Sequence, residues 1–215
     1  MSKIVCTGAG GFICSHLVKY LKKKNPDDYI IGVDIKKPEW DKSHADEFFI
    51  RDLRYPLQHK DLYKNATEVY HLAADMGGIS YIETHKSEIV FNNTMIDMLT
   101  LKAAQEQGVK KLLYSSSACV YPSYLQNDSK NIQPLKEIDA YPAQAEDGYG
   151  WEKLMTERAC RHFMEDYGME TFIARFHNIY GPFGTYEGGK EKSPAALCRK
   201  VATDNLVLEI WGNGE

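Results

Sequence analysis

The chain has 215 residues, of which 43% are hydrophobic, enough for one domain with a full core. The net charge of -4 gives no electrostatic basis for binding nucleic acid or an anionic membrane surface. No apolar run approaches the roughly 18 residues of a membrane span. The five cysteines are scattered without a C-x-x-C pair, so we expect no disulfide framework and no metal site. A strand pattern begins at Lys3 without a preceding signal peptide, and we therefore expect a cytoplasmic protein.

Short β-rich runs alternate with helical patterns along the chain. The predicted strands, in order, are KIVCT, YIIGVD, EFFI, EVYHLA, KLLYSS, TFIARF and LVLEIW. The predicted helices cover residues 12–24, 86–107, 150–167 and 194–202. In the first helix, an apolar stripe is predicted at Ile13, Leu17, Tyr20 and Leu21. This alternation predicts an α/β fold, a Rossmann-type doubly wound parallel sheet that binds ligands beyond the carboxyl ends of its strands.

A glycine turn, TGAGGFICSH, joins the first strand to the first helix. Gly8 and Gly11 let the backbone approach a pyrophosphate, and the helix that starts at Phe12 and Ile13 offers free N–H groups. The glycine pair alone could belong to any tight turn, but a strand before it, a helix after it and an acidic residue at the end of the second strand favour a dinucleotide site.

An acidic residue closes the second strand. The Asp34 carboxylate can accept both hydroxyls of an adenosine ribose and would repel a 2′-phosphate, which favours NAD over NADP. Lys36 and Lys37 lie close by, so this is a preference only, and a simple turn residue is the alternative for Asp34.

Two further strand ends are predicted to contact the cofactor. Asp52 and Leu53 follow the third strand, where an adenine ring would lie. The small-residue segment LAAD closes the fourth strand beside the expected dinucleotide and contributes Leu72, Ala73 and Ala74.

A tyrosine and a lysine share one face at the start of the third predicted helix. Tyr149 and Lys153 stand at i and i+4, so the phenol and the ammonium can reach one ligand. A phenol has an unperturbed pKa of about 10, and a neighbouring lysine and a cationic nicotinamide would lower it. Ser117, at the end of the fifth strand, could hold the alcohol that such a phenolate deprotonates. A Y-x-x-x-K pair alone is common, and a surface helix is its alternative.

Longer stretches carry a family resemblance. TGAGGFI, LAADMGG, SSAC with YP, YG followed by EK, and RFHNIYGPFGT continuing to EKSPAALCRK resemble the extended short-chain dehydrogenase/reductases, the NAD-dependent epimerase/dehydratase family. Within that family, residues 3–212 of this sequence resemble epimerases that invert C3 and C5 of GDP-mannose. The resemblance implies NAD as cofactor, GDP-mannose or a related nucleotide sugar as substrate, and a homodimer formed through the helices predicted at 86–107 and 150–167.

The resemblance also implies a reaction route. Tyr149 would deprotonate the sugar 4-hydroxyl during hydride transfer to NAD, and the ketone formed would acidify the protons on C3 and C5. Cys119 and Lys192 would then supply the acid and the base, with Ser117 assisting at the 4-oxygen; a core cysteine is the alternative for Cys119. Further substrate contacts are implied at Gly77, Asn178, Glu191 and Lys200, and for the last of these a solvated helix residue is the alternative. Packing roles are expected for Cys6, Cys160 and Cys198.

Two departures from the family pattern stand out. Cys14 occupies the third small position of the glycine motif, which packs helix against strand. The sequence also stops at Glu215, whereas family members continue well beyond that length. We therefore expect an NAD-binding Rossmann domain with the catalytic residues at 1–175, and the start of a substrate-binding region at 176–215 with most of the C-terminal substrate-binding lobe absent. We expect such a chain to bind NAD and to epimerise weakly or not at all.

Other functions remain open at this stage. A GDP-fucose synthase-like epimerase-reductase carries a histidine after YGP, where this chain has Phe183, and uses NADP, which Asp34 disfavours. A 4-epimerase or 4,6-dehydratase of UDP-sugars is less favoured, since dehydratases usually have an acidic residue where this chain has Ala118. A non-catalytic NAD-binding module would have no need for the intact set of Ser117, Tyr149 and Lys153.

Overall fold

A computed structural model describes residues 1–59, 61–126 and 134–203. Six parallel strands form one sheet in the order β3-β2-β1-β4-β5-β6. The strands are β1 (Lys3–Thr7), β2 (Tyr29–Asp34), β3 (Glu47–Ile50), β4 (Glu68–His71), β5 (Lys111–Ser117) and β6 (Glu170–Phe176). The order runs outward from β1 in both directions, as in a doubly wound sheet, which confirms the predicted fold class.

Five α-helices connect these strands or follow them in the described part of the chain. They are α1 (Phe12–Lys24), α2 (Ile79–Thr84), α3 (Lys86–Glu106), α4 (Asp147–Tyr167) and α5 (Ser193–Thr203). Short 3-10 turns occur at Pro56–His59, Ala118–Val120, Ser123–Leu125 and Glu137–Ala140. The sequence did not predict α2, and the strand predicted at 206–211 lies outside the described residues.

The buried stripe of α1 differs from the predicted one. Cys14, Val18 and Leu21 are the buried residues of this helix, at i, i+4 and i+7. Tyr20 is 58% exposed, with the Lys24 ammonium 5.9 Å from its ring centroid. The helix is thus rotated by about one position, which places the small Cys14 against the sheet. There the Cys6 thiol and burial raise the pKa of Cys14.

The core lies on both faces of the sheet. Central strand residues such as Val5, Ile30 and Leu112 are fully buried. Apolar side chains on both faces of parallel strands indicate a layer of helices on each side. The sheet therefore places the carboxyl ends of β1, β4 and β5 along one edge of a rigid core.

The cysteine packing roles are only partly found. Cys6 and Cys160 are fully buried, but Cys198 is exposed on α5, a helix in which no described residue is buried. The packing role expected for Cys198 is therefore wrong. Among the described helices, each is too short or too polar to cross a membrane.

Candidate active site

The glycine turn lies between the carboxyl ends of β1 and β4. The Gly8 N–H donates to Val33 O at 2.8 Å, and Gly11 N–H donates to Gly8 O at 3.0 Å. Gly8 has a φ of 77°, and a Cβ at this position would lie 2.8 Å from the backbone nitrogen of Ala73. The turn from β1 can therefore pack on the end of β4 only with glycine here.

The amino terminus of α1 has the features of an anion site. Gly11 is its N-cap, and among the described residues no side chain caps it and no acidic residue lies in its first turn. The N–H groups that begin at Phe12 and Ile13 therefore face the cleft at the positive end of the helix dipole. A pyrophosphate fits this turn.

Asp34 lies beside the glycine turn at the end of β2. Its carboxylate accepts the Gly10 N–H at 2.9 Å and the Lys36 N–H at 3.2 Å. Burial raises the pKa of Asp34, and these backbone hydrogen bonds oppose that rise. The acidic residue and the phosphate cradle thus occupy one continuous surface.

The two residues after β3 are already engaged within the chain. Asp52 binds Arg54 through Nη2 at 2.6 Å and Nε at 2.9 Å, which lowers the pKa of Asp52. The Leu53 side chain is buried in the core, and its carbonyl accepts from His59 Nε2 at 2.7 Å. At the end of β4 the cleft is lined by the half-buried Leu72, Ala73 and Ala74.

Ser117, Tyr149 and Lys153 meet where β5 ends and α4 begins. They are 7%, 4% and 1% exposed, and the Lys153 ammonium is 5.8 Å from the Tyr149 ring centroid. Burial raises the pKa of Tyr149, and Lys153 and Ser117 only partly oppose that rise. The net lowering expected from the lysine is therefore not found in this chain, because burial outweighs it.

Lys153 is a buried cation between two carboxylates. Its Nζ is 3.8 Å from Asp97 Oδ2 and 3.8 Å from Glu152 Oε1. Burial alone would lower the pKa of Lys153, but the two carboxylates outweigh it and raise the pKa. Nζ has no hydrogen-bond partner among the described residues. Such a donor fits the hydroxyls of a cofactor ribose, so the site is compatible with NAD.

A buried network of hydrogen bonds holds Asp97, the carboxylate next to Lys153, in place. Asp97 Oδ1 accepts from His71 Nε2 at 2.9 Å, and Asp97 Oδ2 accepts from the Tyr114 hydroxyl at 2.7 Å. His71 Nδ1 accepts from the Thr7 hydroxyl at 2.7 Å, which in turn accepts the Ala73 N–H at 3.3 Å. This hydrogen-bond network connects the carboxyl ends of β1 and β4 to the surroundings of Lys153.

These supporting residues were missed in the sequence. His71 and Asp97 are both 0% exposed. Polar residues on an otherwise apolar strand and helix face were the available signal, because a buried charge needs a partner.

Cys119 and Lys192 lie on different segments, and Cys119 packs against the cluster that contains Tyr149. Burial and Glu146 raise the pKa of the Cys119 thiol, and Ser117 and Lys192 only partly oppose that rise. Burial lowers the pKa of Lys192, and Cys119 opposes that shift. Gly150 makes the approach of α4 possible, since a Cβ there would lie 2.2 Å from Cys119 O. The loop between β6 and α5 reaches the same edge of the sheet, where Lys190 O and Glu191 O lie against Gly78.

The remaining predicted substrate contacts are more dispersed. Gly77 is buried, and its neighbour Gly78 packs on the backbone of Glu191. Asn178 is exposed beyond the end of β6, and Lys200 is half-buried in the last turn of α5. The structure therefore places Glu191 beside Gly78, the residue after Gly77, whereas Gly77 itself lies against Tyr81.

Comparison with known proteins adds a family and several relatives. The NAD dependent epimerase/dehydratase family matches residues 4–215. The chain is 47% identical to GDP-mannose 3,5-epimerase from Arabidopsis thaliana over 99% of its own length. It is 24% identical to GDP-L-fucose synthase from Sinorhizobium fredii, also over 99% of its length and over 64% of that protein. The chain spans 56% of the length of the Arabidopsis relative.

Solved structures with a similar fold include a nucleotide-sugar epimerase. UDP-glucose 4-epimerase from Thermotoga maritima, solved with UDP-glucose, superposes with a TM-score of 0.78 at 22% identity. The match covers 92% of this chain and 62% of that one. At this identity the likeness supports the fold alone.

Proposed function

We propose, from the premise that this chain belongs to the NAD-dependent epimerase/dehydratase family, that it carries the cofactor-binding and catalytic part of a GDP-mannose 3,5-epimerase. The observation that carries this proposal is that Cys119 packs against Tyr149 next to Ser117, while backbone contacts of Lys190 and Glu191 with Gly78 hold the segment before Lys192 at the same edge of the sheet. A thiol and an amine next to a dehydrogenase-type tyrosine suit proton exchange at carbon. The 47% identity to a GDP-mannose 3,5-epimerase supports the choice of sugar.

The cofactor part of the proposal is NAD in the cleft above β1 and β4. The α1 amino terminus would hold the pyrophosphate, Asp34 the adenosine ribose and Lys153 the other ribose. NAD held there would supply the acceptor for the hydride of the sugar C4 and the donor for its return. The contact proposed for Asp52 requires either its exchange with Arg54 or a role for its backbone, because both carboxylate oxygens already bind that guanidinium.

Tyr149 is proposed as the base at the sugar 4-hydroxyl. Because burial raises the pKa of Tyr149, the phenolate depends on positive charge nearby. Lys153 provides that charge, since Asp97 and Glu152 keep it protonated. Ser117 at the end of β5 can hydrogen-bond the 4-oxygen while the proton leaves.

Cys119 and Lys192 are proposed as the acid and base at C3 and C5. Oxidation at C4 leaves a ketone, and protons on the carbons next to a ketone are acidic. Each member of the pair lowers the energy of the other's charged form. One can therefore take a proton from one side of the ring and the other can return a proton from the opposite side.

The proposal extends to organisation. Residues 1–175 would form the NAD-binding domain and 176–215 the start of the substrate-binding region. A homodimer through α3 and α4 is supported by exposed apolar side chains on them, including Phe91, Trp151 and Met155. A cytoplasmic location is supported by five unpaired cysteines, which are typical of a reducing compartment.

Replacement of Tyr149 by Phe tests the assignment of the base. With NAD and GDP-mannose, we expect NADH formation in a single turnover to fall by about a hundredfold or more, because the phenol is the proton acceptor. NAD affinity, measured by calorimetry, should stay close to that of the unmodified chain. Tyr20→Phe, on the exposed face of α1, is the matched control. Unchanged hydride transfer in Tyr149→Phe would refute the assignment.

A further inference from the structure

We infer that Asp75, acting through Lys190, is a positioning residue that docks the loop carrying Lys192 onto the catalytic edge of the sheet. The loop is residues 184–192, named here the Lys192 loop. The inference rests on the proposed function, in which Lys192 belongs to the acid/base pair. It assigns Asp75 and Lys190 no contact with substrate.

A side-chain latch forms the first contact. Lys190 Nζ lies 3.1 Å from Asp75 Oδ1 and 3.9 Å from the Tyr81 ring centroid. The Tyr81 hydroxyl donates to the same Asp75 oxygen at 3.0 Å. The cation is thus held by a carboxylate and an aromatic face that also bind each other.

Backbone contacts reinforce the latch. The Gly78 N–H donates to Lys190 O at 3.1 Å. A Cβ on Gly78 would lie 2.4 Å from Glu191 O, so the two segments touch at a distance that only glycine allows. Within the loop, the Gly189 N–H donates to Glu191 Oε2 at 2.7 Å. These contacts fix the chain directly before Lys192.

Asp75 is itself held in place by α3. Its Oδ2 accepts from Asn92 Nδ2 at 2.9 Å, and its backbone N–H donates to Asn93 Oδ1 at 2.6 Å. Asn93 Nδ2 donates to Glu152 Oε1 at 2.8 Å, next to Lys153 on α4. A continuous polar path therefore joins the Lys192 loop to the catalytic helix.

The carboxylate of Asp75 stays charged in this setting. Burial raises its pKa, but Asn92, Lys190 and Tyr81 outweigh burial and bring the pKa below its ordinary value. The Asp75 side chain is 20% exposed and that of Lys190 is 44% exposed. The latch is therefore a partly exposed ion pair at the rim of the cleft, outside the buried core.

Latch opening should act on Lys192 two residues later. Lys192 is half-buried, and burial lowers its pKa while Cys119 opposes that shift. On its own side of the cleft, Glu191 Oε1 lies 4.0 Å from Arg199 Nη2. A loosened loop would return Lys192 to solvent and separate it from the thiol, so the amine would regain ordinary basicity.

Lys190→Met, Lys190→Arg and a control, Lys23→Met on the exposed surface of α1, test the inference in the full chain. Hydrogen exchange by mass spectrometry follows peptides over 75–84 and 184–192. Competitive acylation at several pH values follows the reactivity of Lys192. In Lys190→Met we expect exchange in both peptides to accelerate by about tenfold or more and the acylation midpoint of Lys192 to move to higher pH. Lys190→Arg and the control should match the unmodified chain.

Unchanged exchange and an unchanged acylation midpoint in Lys190→Met would overturn the inference. If that variant fails to fold, Tyr81→Phe, which removes the hydroxyl that binds Asp75 but keeps the ring beside Lys190, should still produce a smaller change of the same direction. Neither readout needs substrate. Absence of epimerase chemistry in the unmodified chain would therefore refute the proposed function without affecting the outcome for the latch.

Discussion

The buried carboxylate of Asp97 should be a large contributor to stability. Its side chain is 0% exposed, accepts from His71 and Tyr114, and lies 3.8 Å from the Lys153 ammonium. The Thr156 hydroxyl donates to it at 3.1 Å. Asp97→Asn keeps the shape but removes the charge, which leaves the ammonium with Glu152 as its remaining described carboxylate neighbour.

The expected loss can be estimated from that geometry. Removing one partner of a buried ion pair typically costs about 3–5 kcal/mol. The amide retains part of the hydrogen bonding, and Glu152 can ionise more fully once Asp97 no longer raises its pKa. We therefore expect the free energy of unfolding to fall by about 3 kcal/mol at pH 8, with a larger loss at pH 6, where Glu152 compensates less.

Urea unfolding followed by circular dichroism measures this loss at both pH values. Glu106→Gln is the matched control, since Glu106 is an exposed carboxylate on the same helix, 3.2 Å from Lys102. The control should leave the unfolding midpoint unchanged. A loss below about 1 kcal/mol in Asp97→Asn would mean that the buried pair contributes little beyond an apolar contact.

Two further predictions concern α4. Gly150→Ala should destabilise the chain and disturb the catalytic end of the helix, because its Cβ would lie 2.2 Å from Cys119 O. Gly168, the C-cap of α4, has a φ of 68° and open space around it, so Gly168→Ala should lower the free energy of unfolding by only about 1–2 kcal/mol, measured by thermal unfolding. Equal losses would contradict the packing argument. Burial raises the pKa of Glu152 from 4.5 to about 7, so its ionisation opposes folding increasingly as pH rises between those values. Relative to the unmodified chain, Glu152→Gln should therefore gain up to roughly 3 kcal/mol between pH 5 and pH 8, and a difference independent of pH would disprove this.

Much of the fold could be predicted because its signals are local. The first three strands and α1 begin and end where the sequence predicts, since each apolar run is bounded by turn residues. The six-residue α2 was missed because its burial depends on distant packing: Ile82 lies in a cluster with Ile89 and Tyr149. Such contacts have no periodic signal in a short segment.

In the candidate site, too, local patterns could be predicted and contacts between distant elements could not. Tyr149 and Lys153 could be found from their spacing because both lie on one helix. The partners of Asp97, His71 and Lys190 could not be found in this way, since they come from other elements and only the folded sheet brings them together. The direction of the pKa shift of Tyr149 could not be predicted from the sequence either, because it depends on how deeply the side chain is buried.

The most direct test of the proposed function is to incubate the chain with NAD and GDP-mannose in deuterated water and to locate deuterium in the sugar by NMR and mass spectrometry. We predict deuterium at C3 or C5 that depends on Tyr149 and is lost in Lys192→Met. Because deuterium accumulates, slow turnover is enough for detection. Sugar that returns without deuterium from a chain that demonstrably binds NAD, both alone and when joined to the part of a relative that this chain does not span, would contradict the proposal that these residues epimerise C3 and C5.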